Sequence, residues 1–203
     1  MPRVALVDYG AGNLTSVAKA LRAVGAEVYV PSAPEEMSSA AAIVIPGVGH
    51  YGATRALGEP WRMALRDAAA AGRAMLGICL GYQWLFDSSS EDVGTPGLGL
   101  LNGKCTRLDV TDGLKIPHVG WNALQVLRAS ELLAGVPDGS QAYFTHSYAV
   151  PIGPDSVAST THGATFASAS VSGSVWGVQF HPEKSGDVGL TVLANFVRVA
   201  RSC

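Results

Sequence analysis

Residues 74–86, AMLGICLGYQWLF, change character at their centre. Ala74 to Ile78 form an apolar run of buried-strand length, whereas Tyr82 to Phe86 suit a helix. Cys79 stands at the switch, with Gly77 and Gly81 two positions to either side. A strand that turns sharply into a helix lifts the residue at the turn out of the sheet in a strained conformation, and flanking glycines remove the Cβ atoms that would collide there. The first N–H groups of the helix face the sulfur with partial positive charge, which lowers a thiol pKa. The stretch therefore predicts a nucleophile elbow with Cys79 as the nucleophile. Simple burial of a free cysteine is the alternative, but it requires neither glycine.

Upstream, Val4 to Asp8 is an apolar run followed by YGAGN and then by Leu14, Val17, Ala18, Leu21 and Val24 on one helical face. Asn13 is placed to cap that helix and Gly25 to end it. Gly10 and Gly12 give two glycines of a dinucleotide fingerprint, but Thr15 occupies the third position, so a tight turn is the favoured reading and no cofactor is expected. Glu27 to Val30 and Ala42 to Ile45 read as further buried strands, with room for a short helix between them, and Trp61 to Ala71 as a helix ended by Gly72. Strands alternating with helices imply right-handed crossovers and a mainly parallel sheet. Ligands collect at the carboxyl ends of such strands, so Pro46, Gly47, Val48 and Gly49, after the third strand, should lie beside the elbow. Glycines there allow backbone N–H groups to point outward at a developing oxyanion, although a plain tight turn uses the same residues.

Ser88 to Gly99 is turn-like, and beyond residue 100 the chain becomes alternating and β-branched. Lys104–Val110, Asn122–Leu127, Gln141–Val150, Ser156–Thr161, Thr165–Val171 and Val175–Phe180 read as hairpins and mixed strands extending the sheet. Asp187 to Arg201 reads as a last helix with Val188, Val192, Phe196 and Val199 roughly along one face. The late segment GVQFHPEKS, Gly177 to Ser185, takes an apolar strand into His181, Pro182 and Glu183. In an extended chain residues two apart face the same side, so Glu183 can hold the His181 imidazole in one tautomer. His50, His118, His146 and His162 lack an acidic neighbour so placed. A cysteine at an elbow and a histidine with its carboxylate at a strand end supply nucleophile, base and orienting group.

The composition excludes several function classes. With 203 residues, 48% hydrophobic and 15% charged, the chain can bury one full core, and it reads as a single α/β domain over residues 1–203. A net charge of -2 and the absence of a Lys/Arg cluster argue against nucleic acid. Cys79, Cys105 and Cys203 are odd in number and show no CxxC spacing, so neither a disulfide framework nor a metal site is expected. MPRVALVDYG lacks a signal-peptide core and no stretch is long enough to span a bilayer, so a cytoplasmic location without membrane contact is expected.

GICLGYQ around Cys79 and VQFHPEKS around His181 resemble the nucleophile and His/Glu motifs of class I (triad) glutamine amidotransferases, and PGVG resembles their oxyanion strand. The resemblance covers nearly the whole chain and implies a mixed, largely parallel sheet flanked by helices, flavodoxin-like. Within the class, DYGAGNLTSV, PGVG, PHVGWN, YFTHSY and HPEKS together are similar to the glutaminase subunits of imidazole glycerol phosphate synthases. That likeness implies glutamine as substrate, no cofactor, a catalytic Cys79–His181–Glu183 triad, oxyanion donors at Gly47, Val48 and Leu80, and a substrate grip by Gln83, His146, Ser147 and Tyr148. It also implies a heterodimer with a (β/α)8 cyclase subunit, which uses the ammonia to make imidazole glycerol phosphate and an aminoimidazole carboxamide ribotide. Asn13, Trp121, Tyr143 and Lys184 are the docking candidates. The resemblance further implies that the chain alone is a poor glutaminase, because its oxyanion donors need a peptide rotation that the partner's ligand favours. A glutaminase for another synthase, a Cys/His/Glu hydrolase or peptidase on a related fold, and a non-catalytic module are the rival readings.

Overall fold

Apolar strands of three to five residues lay down the first half of the central sheet: β1 (Arg3–Leu6), β2 (Glu27–Tyr29), β3 (Ala42–Ile45) and β4 (Ala74–Ile78), all paired in parallel. The structure is a computed structural model that describes residues 1–110 and 113–201; Cys203 lies outside them. β3 and β4 are buried at every position, which is why they read as continuous apolar runs. Successive residues nonetheless serve opposite layers. Val4, Leu6, Ala42 and Val44 pack with α1 (Leu14–Ala23) and the C-terminal helix, while Ala5, Val7, Ile43 and Ile45 pack with the elements on the other face, which include Met37 and Leu65.

Local signals set the element ends. Asn13 caps α1 through its side-chain oxygen, which accepts from the Ser16 N–H at 3.2 Å, and Gly25 leaves the helix at φ +89°. The expected short helix after β2 is a 3-10 segment, Pro34–Ser39, and a second one, Tyr51–Ala56, precedes α2 (Glu59–Ala70). After β4 comes α3 (Leu80–Trp84), then β5 (Ser88–Ser89), β6 (Lys104–Arg107), β7 (His118–Ala123), β8 (Gln125–Val126), β9 (Gln141–His146) and β10 (Tyr148–Ala149). β11 (Ser156–His162), β12 (Ala164–Ser172) and β13 (Val175–Val178) lead to a 3-10 turn, Pro182–Lys184, and α4 (Gly186–Val199).

The main sheet runs β2-β1-β3-β4-β13-β12-β11-β8. β13 lies parallel to β4, with Gly177 opposite Gly77 and Val178 opposite Ile78. This one pairing brings the chain after residue 178 beside the elbow after residue 78.

Two of the expected strands do not extend this sheet. Gln141–Val150 breaks at Ser147, whose carbonyl accepts from Leu108 N–H at 2.9 Å; β9 then pairs with β7 and β10 with β6. Lys104–Val110 supplies β6 to a separate three-stranded sheet with β10 and β5. Asn122–Leu127 is likewise divided: β7 begins earlier, at His118, and ends where Leu124 turns its N–H to Ser140 O at 2.8 Å. Alternation identifies a strand but not the sheet it joins. Among the described residues no helix is long and apolar enough to cross a membrane.

Candidate active site

Cys79 has φ +52° and ψ −105°, the one positive φ at a non-glycine residue among the described residues. Such a conformation costs about 1–3 kcal/mol and persists only where its surroundings impose it. Here Cys79 N–H donates to Val178 O at 2.8 Å, and Cys79 O accepts from Gln83 N–H at 3.0 Å. A Cβ on Gly81 would overlap the Ile45 carbonyl, so only glycine lets α3 settle onto β3 at this point. The first helical N–H, that of Leu80, does not face the sulfur as expected; it donates to Gly47 O at 3.3 Å.

His181 follows β13 closely, and its N–H donates to Tyr143 O at 2.9 Å. Its Nδ1 meets Glu183 Oε1 at 2.8 Å, and both side chains are 2% exposed. The pair closes across the 3-10 turn Pro182–Lys184, not along an extended strand as the two-residue spacing implied. Burial alone would favour a neutral ring. The Cys79 sulfur and the Glu183 carboxylate outweigh it and push the His181 pKa up to about 10. His181 thus keeps its proton at neutral pH. Its Nε2 and Glu183 Oε2 are buried without an aligned hydrogen-bond partner.

A pocket of about 300 Å³ opens beside the sulfur, lined by Cys79, Leu80, Gln83, Glu91, His146 and neighbouring backbone. Ser147 and Tyr148 also line it, so all four residues expected to grip a substrate converge here. Gln83 Nε2 donates to Tyr148 O at 2.8 Å and to Gln179 Oε1 at 3.1 Å. Gln179 in turn points its Nε2 at Cys79 Sγ, 3.6 Å away. With both amide hydrogens committed, the carbonyl of Gln83 is the end with capacity left for a ligand. Gln179 and Glu91 are residues that the sequence reading missed. Gln179 stands two residues before His181, so the strand's alternation carried a usable signal. Glu91 sits in a turn-like segment with no motif, and it both lines the pocket and accepts from Tyr51 N–H at 2.8 Å.

The loop after β3 lies against the elbow and presents a peptide oxygen, not the outward N–H groups that its glycines allow; the resemblance implies donors that first need a peptide rotation. The Gly47–Val48 peptide turns its oxygen toward Leu80 N–H, so an oxyanion forming there would meet a carbonyl. The loop is held from below by Tyr9, whose hydroxyl donates to Pro46 O at 2.6 Å. Burial, and then the Cys79 charge, hold the Tyr9 pKa far above the usual phenol value, so the group remains a donor. A Cβ on Gly47 would run into the Tyr9 hydroxyl and lie 2.9 Å from Leu80 Cβ.

Of the docking candidates, Trp121 and Tyr143 are register partners on β7 and β9, with ring centroids 6.1 Å apart, and Lys184 Nζ lies 5.7 Å from the Tyr143 ring centroid. Trp121 is 56% and Val119 57% exposed, an apolar face beside the His181 turn. Asn13 is engaged as the α1 cap. Among the described residues no group of His, Cys, Asp and Glu is arranged to hold a metal ion.

The family described as glutamine amidotransferase class-I matches residues 5–200. The chain is 47% identical to the imidazole glycerol phosphate synthase subunit HisH of Symbiobacterium thermophilum, over 98% of this chain and 95% of that one. It is 43% identical to the HisH of Pyrococcus furiosus, over 98% of this chain and 100% of the relative. Among solved structures, PurLQS from Thermotoga maritima superposes with a TM-score of 0.78 at 21% identity, covering 98% of both chains. A structure described as a glutamine amidotransferase superposes at 0.75 with 20% identity, over 97% of this chain and 98% of that one.

Proposed function

The chain belongs to the class I glutamine amidotransferase family, and from that premise we propose that it is the glutaminase subunit of an imidazole glycerol phosphate synthase, releasing ammonia from glutamine for a cyclase subunit. The observation that carries the chemistry is the strained Cys79 lining the pocket, its sulfur near enough to the buried His181–Glu183 pair to raise the His181 pKa. Cys79 Sγ attacks the side-chain carboxamide carbon of glutamine. His181, protonated at rest, gives its proton to the departing ammonia, and the ring then takes a proton from the water that cleaves the thioester to glutamate. Glu183 fixes the tautomer and stabilises the imidazolium. Glu91 is the one acidic side chain among the described residues that lines the pocket and is the counter-charge for the substrate ammonium, while the Gln83 carbonyl and the 146–148 backbone complete the grip.

Leu80 N–H and Val48 N–H become the oxyanion donors once the Gly47–Val48 peptide turns over. Before that, the site lacks them, so weak hydrolysis by the chain alone is expected. Removing one such donor typically costs about 10²–10³ in kcat. Trp121, Tyr143 and Lys184 form the docking face for a (β/α)8 cyclase subunit in a cytoplasmic heterodimer, with Asn13, the α1 cap, as a further contact. Sealed transfer matters because ammonia released to water is mostly protonated and no longer nucleophilic.

The test is ammonia transfer. Combined with its cyclase, the chain should yield one glutamate per imidazole glycerol phosphate. Product formation from free ammonium salts but not from glutamine, or transfer to a synthase of another pathway instead, would overturn the assignment.

A further inference from the structure

Beside the pocket lies a group of histidine rings that the proposed chemistry does not use. His118 and His146 are 3% and 6% exposed, surrounded by Phe144 and Phe166, with the His162 ring stacked on His118 at 4.1 Å between centroids. Their hydrogen bonds have only one consistent direction. A carbonyl can only accept, so His146 Nδ1, 2.9 Å from Tyr148 O, must carry the proton. In the neutral ring His146 Nε2 is then an acceptor, and its partner at 3.1 Å, His118 Nδ1, must be the donor. His118 Nε2 is left as an acceptor and meets the Asn122 amide at 3.2 Å. The second hydrogen of that amide goes to Thr161 O at 3.0 Å, and its oxygen accepts from Ala123 N–H at 2.8 Å.

Burial holds the pKa of His118 down to about 4 and that of His146 down to about 3, so both rings are neutral across the working range, as the chain of bonds requires. Stability alone does not call for such a chain, because apolar side chains of similar shape in an aromatic cluster would serve without the risk of an unsatisfied polar group.

What distinguishes this chain of bonds is where it ends. The Tyr148 carbonyl accepts from His146 and from Gln83 together, and His146, Tyr148 and Gln83 all line the pocket. At the other end Asn122 follows the exposed Trp121 on β7, whose inward-facing positions carry His118 and Asn122. Resting on the glutaminase reading above, we propose that Asn122–His118–His146 is a one-way hydrogen-bond relay that fixes the Tyr148 carbonyl and through it the Gln83 amide, making His118 a positioning residue for glutamine recognition. The His118 ring touches neither substrate nor sulfur. It sets the direction of the bond that holds the grip.

The experiment uses the protein assembled with its cyclase and compares wild type, His118→Leu and His118→Asn. Leucine removes the donor to His146; asparagine presents an N–H near the place of Nδ1. His118→Leu should raise KM for glutamine about tenfold, the scale of one buried acceptor left unpaired, with kcat within about twofold. His118→Asn should recover most of the lost KM. An unchanged KM in His118→Leu, a loss confined to kcat, or asparagine no better than leucine would overturn the relay. Wild-type glutamine hydrolysis in the same assay separates this from failure of the glutaminase reading, which would leave no activity to compare. Nitrogen-15 histidine spectra of the wild-type protein test the same point without depending on how the variants fold: protons on Nδ1 of both His118 and His146 are expected, and Nε2 protonation of either contradicts the relay.

Discussion

The two sides of the proposed glutamine site stand at different stages of readiness. On one, Cys79, His181 and Glu183 are set by parallel pairing of β4 with β13, and the His181–Glu183 contact is formed at 2.8 Å inside a buried site. On the other, the loop after β3 turns the Gly47 carbonyl toward Leu80 N–H. The first wall is built on strands packed between two core layers. The second is a glycine-bearing loop fixed at one end by Tyr9 OH on Pro46 O and at the other by Tyr51 N–H on Glu91. On the function proposed above, regular structure fixes the reacting groups and the short segment between two anchors is the part that switches.

The contrast can be broken most severely from the assembled wall. Cys79→Ala should lower glutamate formation by about 10⁴-fold or more in the assembled enzyme, measured as glutamate released, while product formation from ammonium salts persists. Glu183→Gln preserves shape but removes one of the charges that raise the His181 pKa. It should cost roughly 10²-fold or more in kcat and move the titration of His181 toward lower pH, seen in the pH profile of kcat/KM. On the switching wall the effects should be smaller and of opposite sign. Tyr9→Phe removes the hydroxyl that holds Pro46 O, and the chain without its partner should hydrolyse glutamine a few-fold faster, with less further gain on adding the cyclase.

A gentler test uses pH. His118 and His146 have folded-state pKa values of about 4 and about 3, below that of an unfolded histidine. The unfolded chain therefore binds more protons as pH falls below about 6.5, so the stability they contribute is present above that value and is lost progressively down to about pH 3. His181, raised to about 10, acts in the other direction: its contribution holds below about 6.5 and is lost as pH rises through 10. Tm should fall between pH 7 and pH 5, and His118→Asn should reduce the drop.

The parallel half of the fold was legible because its signals are local. Ala42 to Ile45 and Ala74 to Ile78 are fully buried strands read directly from apolar runs, and Asn13 caps α1 as its position indicated. The later half was legible as strands but not as sheets, since the break at Ser147 depends on a distant partner, Leu108. In the site, Gly77, Gly81, His181 and Glu183 announced themselves through spacing. The polarity of the Gly47–Val48 peptide did not, because a peptide can turn over without any change of residue type. His118 has no acidic neighbour in sequence to mark it; its partners, Asn122 and His146, are side chains that only the β7–β9 register brings to it.

The most direct test of a ready wall facing an unready one is single-turnover hydrolysis of glutamine by the chain alone and by the chain bound to its cyclase with a nucleotide ligand, paired with the amide signal of Leu80 in both states. A rise of about 10²–10³ in rate, together with loss of the Leu80 N–H to Gly47 O hydrogen bond, is the expected result. Equal rates in the two states, or full activity with that hydrogen bond intact, would contradict the account.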